Sequence, residues 1–269
     1  SEHYLPVGLD SKTPKKPFSI ALALTDRIDT LVGFFGINQK PTSSKDPYAL
    51  RRSALGIIKL LIENNKEFKI KDLISYSTSL HEDQGFELLN QALPGELSDF
   101  LMERLKYYMK EKKIRADIAE ASINAYGINN MNKIYKKAST LNDLIDDPIA
   151  RDIITSYKRA ASILDGELKN NAYELSNTTD PGIFKNDYEK NLLKKINELR
   201  KYFTNMNKDE DYMETLTNLA SAKKVIFDFF DNVKVNDEDK NIKKNRLELL
   251  QMLCKTFDNY VNFTNIEIK

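Results

Sequence analysis

The chain has 269 residues, of which 41% are hydrophobic and 30% are charged, so it is long enough for one large or two ordinary globular domains and too apolar for a disordered chain. Its 41 basic and 40 acidic residues give a net charge of +1. The overall charge therefore gives no reason to expect binding to nucleic acid or to a membrane surface. Nine glycines and eight prolines are few, and this composition predicts a mostly helical, all-α protein.

The first predicted helix covers residues 19–36. Its apolar stripe consists of Ile20, Leu24, Ile28, Leu31 and Phe35 at helical spacing. Asp26 and Asp29 lie three residues apart on another side of this helix, so their like charges repel unless a cation lies between them. An arginine or a metal ion would serve as that cation, and solvation of both carboxylates is the remaining alternative.

The second predicted helix begins at about Pro47, because the carboxylate of Asp46 can accept hydrogen bonds from first-turn amides and proline is favoured at the first helical position. Helical spacing clusters the apolar residues on one face and places Arg52, Lys59 and Glu63 on the opposite, outward face.

Arg51 differs from its neighbour because helical spacing places it at the flank of the apolar face. A guanidinium at that position must reach water or meet a carboxylate. We therefore predict a structural ion pair between Arg51 and a carboxylate of the first helix, either Asp26 or Asp29.

Helices and loops alternate in the following part of the chain. Residues 68–85 mix short apolar runs with polar spacers and are interpreted as helix ends and loops. Residues 93–113 are predicted to form a helix after a Pro-Gly break, and two short helices follow at 114–127 and 130–146.

A helical bundle is predicted from residue 149 to the end of the chain. Asn186, with Glu189 three residues later, forms a capping box that starts one of its helices. One helix is predicted across residues 212–230, and the last helix covers about 238–258 with its leucines facing inward.

The sequence contains no pattern typical of a catalytic centre. It has no glycine-rich phosphate loop and no Cys-x-x-Cys pair, and its histidines are His3 and His81, so no catalytic residue and no metal site is expected within the chain. Cys254 is the single cysteine and lies in an apolar helical stripe, which predicts a buried thiol in a reducing, cytoplasmic compartment. No apolar run is long enough to span a membrane, and no secretory leader opens the chain.

Basic side chains of the predicted bundle are the candidate nucleic-acid contacts. They lie on its first and last helices and are Lys158, Arg159, Lys243, Lys244 and Arg246. Tyr157 is a candidate stacking partner, since arginine forks and aromatic faces suit unpaired bases while lysines suit phosphates. Ordinary solvated surface charge is the alternative interpretation of these side chains.

Several segments resemble bacterial glycyl-tRNA synthetase β subunits. The longest is ALALTDRIDTLVGFFGINQKPTSSKDPYALRRSALGIIKLL. It is followed, in family order, by FLMERLKYYMKEKKIRADIAEA, YKRAASIL, DYMETLTNLASAKKVIFDFFDNVKV and EDKNIKKNRLELLQML. The resemblance therefore covers essentially the whole chain.

The resemblance implies a helical HD-like remnant followed by a C-terminal helical bundle of the anticodon-binding type. Residues 1–90 would be the C-terminal part of the HD-like domain, residues 91–148 a helical connecting region, and residues 149–269 a DALR-type anticodon-binding domain.

The implied function is that of the C-terminal portion of the β subunit of a class II glycine–tRNA ligase, which contains two α and two β subunits. This portion would hold tRNA(Gly), including its anticodon, in the cytoplasm. The α subunit would carry the catalytic centre with ATP and Mg²⁺, so no cofactor is expected in this chain.

The resemblance also bears on individual residues. Arg52 becomes an outward cation near the tRNA acceptor arm, and Lys243 stands where the family usually has arginine, which loses the bidentate geometry for reading a base but leaves a phosphate contact. Asp26 stands where HD hydrolases keep a last metal-binding aspartate, but their His-Asp pair would precede residue 1. A helical protein-interaction module and a degenerate HD-type metal-dependent phosphohydrolase are the alternative functions.

Overall fold

The computed structural model describes residues 4–127, 129–170, 174–206 and 211–268. These residues form eleven α-helices and one short 3₁₀ helix, and no strand occurs among them, so the predicted all-α class is confirmed. No helix within these ranges combines the length and the apolar character that crossing a membrane requires. The chain divides into two compact units, Ser1–Ala138 and Ser139–Lys269.

The first unit is built around two predicted helices. Its elements are α1 (Pro17–Gly36), α2 (Leu50–Glu63), α3 (Ile70–Asp83), α4 (Leu93–Glu111), α5 (Ala116–Tyr126) and the beginning of α6 (Met131–Asp143). Helix α1 packs against α2, α3 and α4, and the five residues of its predicted apolar stripe are all buried, as expected. Helix α4 also packs on α2 and α3, and this compact unit extends to Ala138, within the predicted connecting region of residues 91–148.

Helix α2 begins three residues later than predicted, at Leu50. Asp46 does cap it, because its carboxylate accepts hydrogen bonds from the amides of Leu50 at 2.8 Å and Arg51 at 3.0 Å. Residues 47–48 form a turn, and Ala49 has a left-handed backbone with φ of 54°. The chain therefore enters the helix by a sharp reversal that the Asp46–Pro47 pattern does not reveal.

The interpretation of residues 68–85 as helix ends and loops is wrong, because α3 occupies most of this segment. Only Ile70, Ile74 and Ser77 of this helix are buried. Most residues of this helix are polar, and most are exposed, which explains why the sequence was interpreted as loops and helix ends.

The second unit is a helical bundle, as predicted. It contains α7 (Pro148–Asn170), the 3₁₀ helix (Pro181–Ile183), α8 (Asp187–Asn205), α9 (Tyr212–Ala220), α10 (Lys223–Asn232) and α11 (Lys240–Phe257). Helix α11 packs against α7 and α8, while α8 packs against α10 and α7 against α9 and α10. The capping box of Asn186 and Glu189 at the start of α8 is confirmed.

The single helix predicted across residues 212–230 is wrong, because α9 and α10 are separated at Ser221. The Ser221 hydroxyl donates to the carbonyl of Asn218 at 2.5 Å, a local hydrogen bond of the kind that competes with helix continuation. Leu219, Ala222 and Ile226 are buried on both sides of the break, so the apolar spacing continues through it and hides it in the sequence.

Candidate nucleic-acid interface

The predicted ion pair of Arg51 with Asp26 or Asp29 is replaced by other contacts. The Asp29 carboxylate lies 3.0 Å from Nε2 of His81, and Asp26 is exposed. The Arg51 guanidinium donates to the carbonyl of Thr42. Because α2 begins only at Leu50, Arg51 lies in its first turn and reaches the preceding loop instead of α1.

Lys59, predicted to face outward, is instead only 5% exposed. Its ammonium group donates to the carbonyl of Leu9 at 2.6 Å and to the carboxylate of Glu63 at 2.5 Å. The N-terminal segment covers this side of α2, a contact between distant parts of the chain that helical periodicity does not contain.

Arg27 is the buried arginine of the first unit, and sequence reasoning missed it. Its guanidinium donates to the carbonyls of Tyr4 at 3.1 Å and Pro6 at 3.0 Å, and its side chain lies directly on Gly56. Burial lowers the pKa of Arg27, and the nearby charge of Asp26 opposes this shift. Arg27 therefore holds main-chain carbonyls, whereas the sequence led us to expect an arginine holding an acid.

A cavity of about 470 Å³ lies at the start of α2. Arg51, Arg52 and Lys59 line it together with residues 6–9. Arg52 is exposed, as expected from the helical spacing, and its contact with RNA stays a prediction.

Tyr157 is a core residue of the second unit, so the expectation that it stacks on RNA bases is wrong. Its side chain is 3% exposed, and its hydroxyl donates to the Asp258 carboxylate at 2.7 Å. Its ring packs against those of Phe257 and Phe263. Burial, reinforced by the charge of Asp258, raises the pKa of Tyr157 well above its usual value.

Arg246 is also internal, so the predicted RNA contact is wrong for this residue. It is 4% exposed, and its guanidinium donates to the carboxylates of Glu189 and Asp237, both at 2.7 Å, and to the Lys234 carbonyl at 2.9 Å. The sequence does contain a signal for this burial: Arg246 follows the buried Ile242 by four residues, on the apolar face of α11.

The other predicted cations of the second unit lie nearer the surface. Arg159 is exposed and lies over the Phe230 ring at 4.5 Å, with Asp231 at 3.7 Å. The Lys243 ammonium lies 2.7 Å from the Glu167 carboxylate. Lys158 and Lys244 are half-buried. RNA contacts by these four residues, Lys158, Arg159, Lys243 and Lys244, stay predictions.

Three buried polar residues of α11 bind the chain segment at residues 176–189. We call Asn245, Arg246 and Glu248 the α11 clamp. Asn245 accepts from the amide of Asp180 at 2.7 Å and donates to its carbonyl at 3.0 Å. Glu248 accepts from the amide and hydroxyl of Ser176 at 3.1 and 2.7 Å.

The clamp fixes the start of α8 as well. The Glu189 carboxylate that receives Arg246 also accepts hydrogen bonds from the amides of Lys185 at 2.7 Å and Asn186 at 3.1 Å. One buried carboxylate therefore joins α11 to the first turn of α8.

A surface groove of about 490 Å³ lies beside this fixed segment, and sequence reasoning missed it. We call it the α8 groove; it is lined by Pro181, Phe184, Lys190, Leu193, Lys194, Asn197, Glu198 and Lys201. Lys190, Lys194 and Lys201 are spaced at i, i+4 and i+11, so they lie along one side of α8. That spacing, just after an aromatic residue, is the sequence signal that could have identified the groove.

Comparison with known proteins relates both units to one enzyme. The family described as glycyl-tRNA synthetase beta subunit matches residues 1–124, and the family described as DALR anticodon binding domain matches residues 153–269. The glycine–tRNA ligase beta subunits of Rickettsia africae and Rickettsia prowazekii are 36% and 34% identical over 265 residues, and that of Ruegeria sp. is 30% identical. Each alignment covers 98% of this chain and 37% of the relative, so the chain spans little more than a third of these proteins.

Proposed function

Because the chain belongs to the glycyl-tRNA synthetase β subunit family, we propose that it is the tRNA-holding C-terminal portion of such a subunit. Its second unit holds the anticodon arm of tRNA(Gly), and by positioning the tRNA it contributes to the ATP-dependent attachment of glycine. The proposal assigns the chemical step, with ATP and Mg²⁺, to the α subunits of a cytoplasmic heterotetramer that contains two α and two β subunits.

The match of the DALR anticodon binding domain to residues 153–269 carries this proposal. That range contains most of α7 and all of α8 to α11. Exposed cations on α7 and α8 supply the charge that a phosphate backbone requires, although the net charge of the whole chain is only +1.

Titration of the chain with two transcripts tests the proposal. One transcript is tRNA(Gly), and the other differs from it only in the anticodon. We expect tighter binding of the first, with affinity falling as salt rises from about 50 to 200 mM, since bound lysines release counterions. Equal affinity for both transcripts would contradict the anticodon role, and no binding at either salt would favour a protein-interaction module.

Partnership with an α subunit is the second part of the proposal. The relatives are named beta subunits, which supports an α partner for this chain. Mixing the chain with a glycine–tRNA ligase α subunit in size-exclusion chromatography tests the pairing. Co-elution supports a contact within these residues, and separate elution assigns the contact to the part of the β subunit that this chain does not contain.

A further inference from the structure

We propose that the α8 groove is the place where unpaired nucleotides of the tRNA anticodon loop bind. A base stacks on Phe184, and the backbone phosphates lie along Lys190, Lys194 and Lys201. The proposal rests on the proposed function, because it takes RNA to be the ligand of the second unit.

The charges in the groove favour an anionic strand. Lys190 lies 2.9 Å from Asp187, and Glu198 lies 3.5 Å from Lys195, so the acidic groups at the groove already have cationic partners. Lys194 and Lys201 are exposed and form no ion pair with any residue in the described ranges. Two uncompensated positive charges therefore remain along one side of the groove.

The dimensions of the lysine row suit a short single strand. Lys190 and Lys201 are eleven residues apart, which corresponds to about 16 Å along the axis of α8. That length matches about five stacked nucleotides at 3.4 Å each. A row of this length can follow the backbone of an anticodon loop.

The apolar side of the groove suits a base. Pro181, Phe184 and Leu193 line it, and Phe184 is half-buried, so one part of its ring is held by the protein. An aromatic face beside a cationic row is the combination with which proteins bind unpaired bases, because stacking tolerates any base while lysines follow the phosphates.

The α11 clamp gives the groove a fixed shape before any ligand arrives. Burying Asn245, Arg246 and Glu248 is costly unless each is hydrogen bonded, and each of them binds the segment 176–189 that carries Phe184. A segment ordered in advance loses less conformational entropy on binding. The clamp therefore positions the stacking platform without touching RNA itself.

The α8 groove is a better candidate than the basic residues predicted from the sequence. Arg159 and Lys243 have acidic partners, Asp231 and Glu167, and the face of Phe230 beside Arg159 is already occupied by its guanidinium. Lys194 and Lys201 have both the free charge and the neighbouring ring.

A charge-matched pair of double variants tests the proposal. Lys194→Gln/Lys201→Gln removes the two uncompensated groove lysines, and Lys224→Gln/Lys255→Gln removes two exposed lysines outside the groove. The probe is a hairpin RNA containing the anticodon arm of tRNA(Gly). Each lysine–phosphate contact contributes about 0.7 to the slope of log affinity against log salt for a single strand. Losing two contacts should therefore reduce this slope by about 1.4 and weaken binding about 25-fold at 100 mM salt.

Phe184→Leu tests the stacking step separately. Leucine keeps the apolar volume and removes the aromatic face, so we expect about tenfold weaker binding with little change in the salt slope. Circular dichroism and the melting temperature of each variant show whether the second unit stays folded.

The outcomes separate this inference from the proposed function. Loss of affinity in the groove variants but not in the control pair supports the groove. Equal loss in both pairs, or wild-type affinity in the groove pair, overturns the groove and leaves the proposed function standing. If the unmodified chain binds neither hairpin nor full tRNA, the proposed function fails and this inference fails with it.

Discussion

Replacing Arg246 by alanine is expected to destabilise the second unit strongly. The substitution removes three hydrogen bonds and leaves the Glu189 carboxylate, 1% exposed, without its cation. Breaking a buried pair of this kind costs about 3 to 5 kcal/mol. We expect a value near the lower limit, about 3 kcal/mol, because Glu189 still accepts hydrogen bonds from the amides of Lys185 and Asn186.

A second substitution identifies the cause of the loss. Glu189→Gln removes the stranded charge but keeps an oxygen that can accept from the two amides. If the unpaired buried charge of Glu189 causes most of the loss, the double variant Arg246→Ala/Glu189→Gln should lose less free energy of unfolding than the two single variants together, by about 1 to 2 kcal/mol. Arg159→Ala is the control, since its ion pair is exposed and contributes about 0.5 kcal/mol.

Urea unfolding followed by circular dichroism measures these differences. If the unfolding curve shows two steps, each unit is fitted as its own transition, because a single free energy of unfolding is not defined for a protein that unfolds in two steps. Equal losses for Arg246→Ala and Arg159→Ala, or strict additivity in the double variant, would refute the assignment of Arg246 as a buried charge partner.

Three further predictions follow from buried groups. Gly56→Ala places a Cβ 2.4 Å from Nε of Arg27, so the Arg27 side chain must move and the free energy of unfolding should fall by about 2 kcal/mol. The control is Gly166→Ala in α7, where the added Cβ meets open space and thermal stability should stay equal or rise; equal losses for both variants would contradict the packing argument. Burial raises the pKa of Asp258 above its ordinary 3.8, so the folded chain binds this proton more tightly than the unfolded chain does. The stability of the wild type relative to Asp258→Asn should therefore fall as the pH rises above about 4, and a constant difference would be inconsistent with the shift. Burial raises the pKa of Cys254 to about 12, so a thiol reagent at pH 8 should label it only after unfolding in urea, and rapid labelling of the folded chain would show that the thiol is accessible.

Local periodicity was sufficient to predict much of the fold. The apolar stripe of α1 and the capping box at Asn186 depend only on residues within a few positions of one another, and both are present. The break at Ser221 was missed because the buried spacing continues through it. Local patterns therefore predict helices better than they predict where helices end.

The candidate sites were less predictable because they depend on distant partners. The neighbours of Arg51 and Lys59 are set by the loop at Thr42 and by the segment at Leu9, and neither is encoded in the helix that carries the side chain. The same argument explains why a basic residue on an apolar helical face, such as Arg246, should be expected to have a buried acidic partner rather than a ligand.

The way the N-terminal segment is held limits which changes it can accept. Arg27 and Lys59 donate hydrogen bonds to the carbonyls of Tyr4, Pro6 and Leu9, so these three contacts are made with the main chain of the segment. Substitutions that keep the path of the backbone leave all three acceptors in place. An inserted or deleted residue would displace them together, so this segment has more freedom to vary in sequence than in length.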